Sequence, residues 1–123
     1  MPRHSPADRD PKELLPLKAI ELLILVMLRA GDRHGYGIRR DILEHSDGRI
    51  VLEAGNLYRH LRGLEDDGIL EQLGSRPTGD GDERRIYYTL TPFGRRVLAA
   101  ETRRLRALLE LRLPSRALGT RRA

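Results

Sequence analysis

A chain of 123 residues without cysteine accommodates one domain with a small core and excludes both a disulfide framework and thiolate chemistry. No apolar run is long enough to span a bilayer and the N-terminus shows no signal-peptide pattern, so the reading is a cytoplasmic protein with no membrane partner. A formal charge of +5, with 33% charged and 4% aromatic residues, fits a soluble helix-rich chain and suggests a polyanionic partner.

Residues 1–16 hold four prolines, mixed charges and few apolar side chains, the composition of a flexible arm. Leu17 to Arg29 is the most hydrophobic segment and predicts a core helix stopped near Gly31. It is apolar around most of its circumference, more than one small domain buries, which points to a second subunit. Arg33-His-Gly-Tyr-Gly-Ile38 turns the chain into a second helix over 35–45, with Ile38, Ile42 and Leu43 facing the core. Gly35 and Gly37 do not form a phosphate cradle, since no strand precedes them and no Gly-Lys-Ser/Thr follows. Tyr36 either packs the helix corner or donates its hydroxyl to a DNA phosphate, packing being favoured. Ser46-Asp-Gly48 reads as a turn, and Arg49 to Leu52 as a short third strand beside the hairpin that follows.

Ala54 to Gly68 predicts a third helix. Leu57, Leu61 and Leu64 at i, i+4 and i+7 make one apolar stripe. Asn56, Arg59, His60 and Gly63 share the opposite face, an amide, a guanidinium and an imidazole with room beyond them. Asn and Arg are the side chains whose bidentate contacts distinguish adenine and guanine edges in a major groove. Taken alone, this face reads better as an ordinary solvated one. After Gly68, a helix C-cap, Ile69 to Leu73 and Arg84 to Leu90 read as strands; Ile86, Tyr88 and Leu90 alternate with Tyr87 and Thr89. The turn-rich loop from Gly74 to Glu83 joins them as a hairpin with a long tip. A helix followed by such a hairpin is the winged helix-turn-helix arrangement, mainly α with a small β wing, in which the helix enters a major groove. DNA binding is then the better reading.

Thr91 as N-cap and Pro92 at the first helical position open a last helix, expected to run to Leu113 and stop at Pro114. Leu98, Leu105, Leu109 and Arg112, flanked by Val97 and Leu108, follow a near-heptad seam suited to dimerisation. Residues 114–123 read as a disordered basic tail. Residues 92–123 carry nine arginines against Glu101 and Glu110, a balance of +7, which leaves −2 for the rest of the chain. DNA binding therefore depends on a local arrangement of Arg59, Arg62, Arg76, Arg84 and Arg85, with Glu65, Asp66 and Asp67 turned away. His4, His34, His45 and His60 show no metal-ligand spacing. No nucleophile motif, cofactor fingerprint or catalytic carboxylate pair is present, so neither an enzyme, a cofactor nor a metal site is expected.

The stretches His34-Gly-Tyr-Gly-Ile38, Gly55-Asn-Leu-Tyr-Arg-His-Leu-Arg-Gly-Leu-Glu65, Gly68-Ile-Leu-Glu71 and Arg85-Ile-Tyr-Tyr-Thr-Leu-Thr-Pro-Phe-Gly94 resemble the PadR family of transcriptional regulators. The resemblance spans residues 17–113 and implies a homodimer that binds double-stranded DNA at an operator with dyad symmetry and usually represses. It implies Asn56, Tyr58, Arg59 and His60 as the DNA-facing set, with Arg84 and Arg85 at the wing base. It also implies a dimer built by the last helix with help from the first, here Leu22 and Leu25. Asn56 stands where the family commonly has Ser or Thr, and Arg59 where it often has Pro, so operator preference does not transfer. Like the shorter members, the chain has a single C-terminal helix; it has no tryptophan, so members that stack flat drugs at the dimer interface are a poor guide to any small-molecule effector. Two alternatives remain: a winged-helix protein adaptor without specific DNA binding, which the −2 balance favours, and a non-specific nucleic-acid binder using the arginine-rich C-terminus.

Overall fold

The computed structural model describes residues 9–79 and 83–115. The first half of the expected arm, the tip of the hairpin loop and most of the basic tail lie outside the described residues. Four helices, α1 (Ala19–Ala30), α2 (Gly35–His45), α3 (Ala54–Asp66) and α4 (Pro92–Leu109), pack with three strands, β1 (Arg33–His34), β2 (Leu70–Pro77) and β3 (Arg84–Leu90). The sheet is antiparallel in the order β1-β3-β2. This is the winged helix the sequence predicts. Ile24, Leu25 and Leu28 of α1 form the centre of the core, covered by Ile38 and Ile42 of α2 and by the Leu57, Leu61 and Leu64 stripe of α3. Tyr88 and Leu90 of β3 and Phe93, Val97 and Leu98 of α4 close it from the other side.

The end of α3 sets the direction of the wing. Gly68 has φ +77°, which a glycine adopts without strain. It lets Gly68 N–H donate to Glu65 O and Ile69 N–H donate to Leu64 O, both at 2.9 Å, the paired bonds of a Schellman cap. The chain then enters β2 directly. In β2, Leu73 is an extra residue between Gln72, opposite Tyr88, and Gly74, opposite Tyr87. This bulge, at a glycine with φ +88°, interrupts the regular pairing between the inner and outer halves of the wing. In the outer half Ile86, expected on the core side with Tyr88, is exposed.

Three expectations are corrected here. Residues 49–52 form no strand; the third strand is Arg33–His34, paired to Tyr88 and Tyr87. Arg33 leads straight into α2 and is pinned by Asp41 at 2.5 Å and by the carbonyls of Met27 and Gly31, so that edge is occupied first. The N-terminal arm is not free over its described part. Pro11–Leu14 forms a 3₁₀ turn, with Asp10 accepting from Lys12 N–H at 2.9 Å, and Leu14 and Leu15 pack on the core. Arg9 lies 4.3 Å from the Phe93 ring and donates to Asp67 O at 2.7 Å. Last, α4 ends at Leu109 rather than Leu113. Pro114 disfavours helical backbone at Leu113, and no other part of the described chain covers the final leucines.

Glu101 of α4 is fully buried. It accepts from Arg104 Nε at 2.6 Å and Nη2 at 3.0 Å, and from Leu17 N–H at 3.0 Å. The carboxylate thus ties the entry of α1 to α4. The Arg104 hydrogen bonds and the Leu17 amide hold its pKa below the ordinary value, against the opposing effect of burial. A lowered folded pKa means stability that is present above the unfolded value and lost as pH falls through the folded one. Glu101→Gln is therefore expected to lower the urea midpoint at neutral pH. Wild type and variant should converge as pH drops well below 4.5, the ordinary value. A gap that stays constant with pH would show that the charge on Glu101 is immaterial.

Gly94 is the tightest point between α4 and the sheet. A Cβ there would overlap the Ile69 carbonyl oxygen and lie 3.0 Å from its carbon, both backbone atoms that cannot swing aside. Gly63 of α3, by contrast, has nothing within 4 Å of its Cβ position. Gly94→Ala should destabilise by about 2–3 kcal/mol through overpacking, while Gly63→Ala should stabilise by about 0.5–1 kcal/mol through helix propensity. Denaturant titration of both variants against wild type reads the two signs.

Candidate nucleic-acid interface

The leucine stripe of α3 is buried against α1 and α2, so the helix can turn only its other face to solvent. Tyr58, Arg59, Arg62 and Gly63 are exposed there, and Asn56 is half-buried at its edge. Arg59 Nη2 donates to Asn56 Oδ1 at 2.5 Å, one turn apart. Tyr58 leans back onto α2, where its hydroxyl and ring carbons fill the space a Cβ at Gly35 would need. The absence of a side chain at Gly35 is what lets α2 and α3 approach so closely.

His60 is not on this face. Its ring lies 3.3 Å from Glu21 Oε2 of α1, with the imidazole only 16% exposed. At i+4 from Asn56 it is rotated far enough toward α1 to be captured by a carboxylate. It ties α3 to α1. The sequence contains both residues, 39 apart, with nothing in their spacing to pair them.

At the start of α2, His34 is the N-cap: its Nδ1 accepts from Gly37 N–H at 3.0 Å. The cap needs an unprotonated Nδ1. Burial lowers the pKa of His34, and the charges of Arg85 and Arg40 lower it further, against Glu83 and Asp41. The neutral ring is thereby favoured. It stacks with Tyr36 at 6.3 Å and meets Tyr87 of β3 edge-on at 5.2 Å. Tyr36, for which packing at the helix corner is the favoured reading, lies against His34 there and is 49% exposed. Its ring lies 5.2 Å from the Arg85 guanidinium and 6.0 Å from that of Arg40. Neither the His34 cap nor Arg40 was singled out from the sequence. A histidine three residues ahead of a glycine amide carries no recognisable capping signal, and Arg40 enters only because α2 faces the wing.

The wing arginines are held across the hairpin. Arg84 donates through Nε to Ser75 Oγ at 3.1 Å and through Nη2 to Ser75 O at 2.8 Å. Three of its five guanidinium protons remain available. Arg85 pairs with Glu83 at 3.2 Å, and Arg76 lies 5.7 Å from the Tyr87 ring. An open groove of about 290 Å³ separates this base of the wing from the first turns of α2. Its walls include Arg33, His34, Tyr36, Arg40, Arg85 and Tyr87. At the acidic end of α3, Glu65 accepts from Gln72 Nε2 at 3.4 Å, while Asp66 and Asp67 are exposed. Tyr88 is buried beneath α3, where burial, then the Glu65 charge and the Tyr58 hydroxyl, raise its pKa and keep it a neutral phenol.

The residues proposed from the sequence for a dimer separate into two sets. Leu25, Val97 and Leu98 are buried within the protomer's own core and offer nothing to a partner. The near-heptad spacing that grouped them with the later leucines cannot tell an internal helix contact from an external one. Leu22 and Leu105 are half-buried, and Leu108 and Leu109 are exposed, Leu109 at 83%. Among the described residues no group of three or more His, Asp or Glu side chains is placed to hold a metal ion, and no helix is long and apolar enough to cross a membrane.

The fold has counterparts among known proteins. Residues 24–100 match the family model described as the transcriptional regulator PadR-like family. No curated protein matches the chain in a sequence search. Among solved structures it is similar to a transcriptional regulator from Clostridium thermocellum, with 25% identity and a TM-score of 0.63 over 74% of this chain and 84% of the other. A PadR family regulator from Clostridium difficile, at 24% identity, gives a TM-score of 0.63 over 76% of this chain and 93% of the other. Bacillus subtilis PadR, solved in complex with operator DNA, shares 23% identity and a TM-score of 0.55, over 84% of this chain and 53% of that longer one. With the family model matched over well more than half its length, and with the winged helix in place, the chain belongs to the PadR-like family of transcriptional regulators.

Proposed function

We propose that this regulator is a sequence-specific DNA-binding protein, a repressor that acts as a homodimer on an inverted-repeat operator. The observation that carries the reading is the continuity of the exposed polar surface. It runs from Asn56, Tyr58, Arg59 and Arg62 on α3, where Tyr58 covers the buried Gly35, across the exposed Tyr36 at the start of α2, to Arg85, Arg84 and Arg76 on the wing. The elements touch one another, so a single duplex can reach all of them. In this reading α3 enters a major groove, and the wing arginines meet phosphates alongside it. The local crowding of arginine answers the −2 balance of residues 1–91, because phosphates respond to the charges nearest them. The operator complex of Bacillus subtilis PadR, a protein of the same fold, supports DNA as the partner.

In this proposal the dimer is built by Leu22, Leu105, Leu108 and Leu109, together with Leu111 and Leu113, which are exposed as well. An apolar cluster of this kind at the end of a basic helix gains by meeting its own copy. Two recognition helices would sit about 34 Å apart to enter successive major grooves. An effector that binds better to a dimer of another spacing would release the operator by shifting that population.

Selection of source-genome DNA fragments on the purified protein at physiological salt tests the function. A small set of enriched fragments sharing an inverted repeat is the expected outcome; uniform recovery of all fragments, or of none, would exclude specific reading and favour the non-specific binder or the adaptor. On an enriched fragment, Arg59→Ala should lose about 1–3 kcal/mol of binding. Replacing Arg84 and Arg85 together by Ala should weaken every sequence alike and reduce the slope of log affinity against log salt by roughly 2.

A further inference from the structure

We infer that Asn56 does not read a base itself but positions Arg59, and that the two side chains act as one reader of a G·C pair. This rests on the DNA-binding reading and specifies what its recognition helix recognises. Asparagine distinguishes adenine only when its carboxamide oxygen and amine face the base edge together. Here the oxygen, Asn56 Oδ1, is already engaged by Arg59 Nη2 at 2.5 Å. Asn56 is also half-buried against its own helix, while Arg59 one turn further on is exposed. The amide therefore sits behind the guanidinium, and the guanidinium projects from the helix.

The geometry of the guanidinium decides what remains. It carries five N–H protons, which form two parallel two-proton edges, Nε with Nη2 and Nη1 with Nη2. A single bond from Nη2 uses one proton and so occupies one edge. The other edge is intact and has the spacing to meet O6 and N7 of guanine. Arginine restrained in this way has fewer rotamers to lose on binding than a free one. An exposed pair adds little to folding stability, so its consequence is in recognition. Gly63, with open space around it, leaves the groove floor clear beyond Arg59.

The test is a double-mutant cycle on the genomic fragment most enriched by the wild type, read as the ratio of its affinity to that of random DNA. Arg59→Ala should reduce the ratio by about ten- to a hundred-fold. Asn56→Ala should reduce it several-fold with Arg59 present and not at all in the Arg59→Ala background. Asn56→Asp, which keeps the acceptor and loses the amine, should weaken binding to all DNA through its charge yet preserve the ratio. In the free protein, ¹⁵N relaxation at Arg59 Nε should show greater order in wild type and Asn56→Asp than in Asn56→Ala. Equal losses from Asn56→Ala in both backgrounds, or a ratio lost in Asn56→Asp, would overturn the positioning role and make Asn56 a base reader. A wild type that enriches no fragment would overturn the DNA reading, and the inference with it, whereas additive losses on a well-enriched fragment would overturn the inference alone.

Discussion

The Thr91 hydroxyl is the junction on which the geometry of this molecule depends. It donates to Gly68 O at 2.6 Å, lies 3.1 Å from Ile69 O, and accepts from Gly94 N–H at 2.9 Å. The Thr91 amide donates to Ile69 O at 3.0 Å. One side chain therefore caps α4, closes the base of the hairpin and binds the backbone just past the end of α3. The missing side chain at Gly94 lets α4 press against the Ile69 carbonyl. The recognition helix, the wing and the last helix leave this point in fixed directions.

Around that junction the core has little redundancy. The α3 leucines, the α1 isoleucine and leucines, and Val97 and Leu98 all meet in one cluster. Small domains bury a modest fraction of their surface, so each contact is a large share of the total. Polar ties supplement it at the edges: Glu101 holds the start of α1 to α4, Glu21 holds His60 of α3, and Arg33 fastens α1 to α2 through the Met27 and Gly31 carbonyls and Asp41. Each joins two elements that a regulator must keep in register if DNA and dimer contacts are to be linked.

The proposed DNA face resolves a conflict present in the composition. Averaged over residues 1–91 the charge is slightly negative, yet Arg40, Arg76, Arg84 and Arg85 gather around Tyr36, Tyr87 and Ser75. Aromatic rings bring the arginines together without pairing all of them with carboxylates, since a guanidinium is attracted to a ring face and keeps its protons for other partners. Several acidic side chains are meanwhile occupied inside the fold or at its far end: Glu101 by Arg104, Asp41 by Arg33, Glu65 by Gln72.

The sequence by itself determined the local structure: the α3 leucine stripe, the glycine cap at Gly68, the Thr91-Pro92 helix start and the alternation in the inner half of β3. These are set by neighbours within a few residues, through helix and strand periods and capping bonds, and they were enough to read the winged helix and its family resemblance. The tertiary structure alone decided which polar residues stay available. His60 carries the same polar signal as its neighbours on α3, but Glu21 of α1 captures it. Val97 and Leu109 carry the same apolar signal, yet one is core and the other surface. Arg33–His34 became the third strand in place of 49–52, and the 3₁₀ turn at Pro11–Leu14 settled on the body instead of fraying. Partners tens of residues away make these choices, and they come within reach only once the chain is folded.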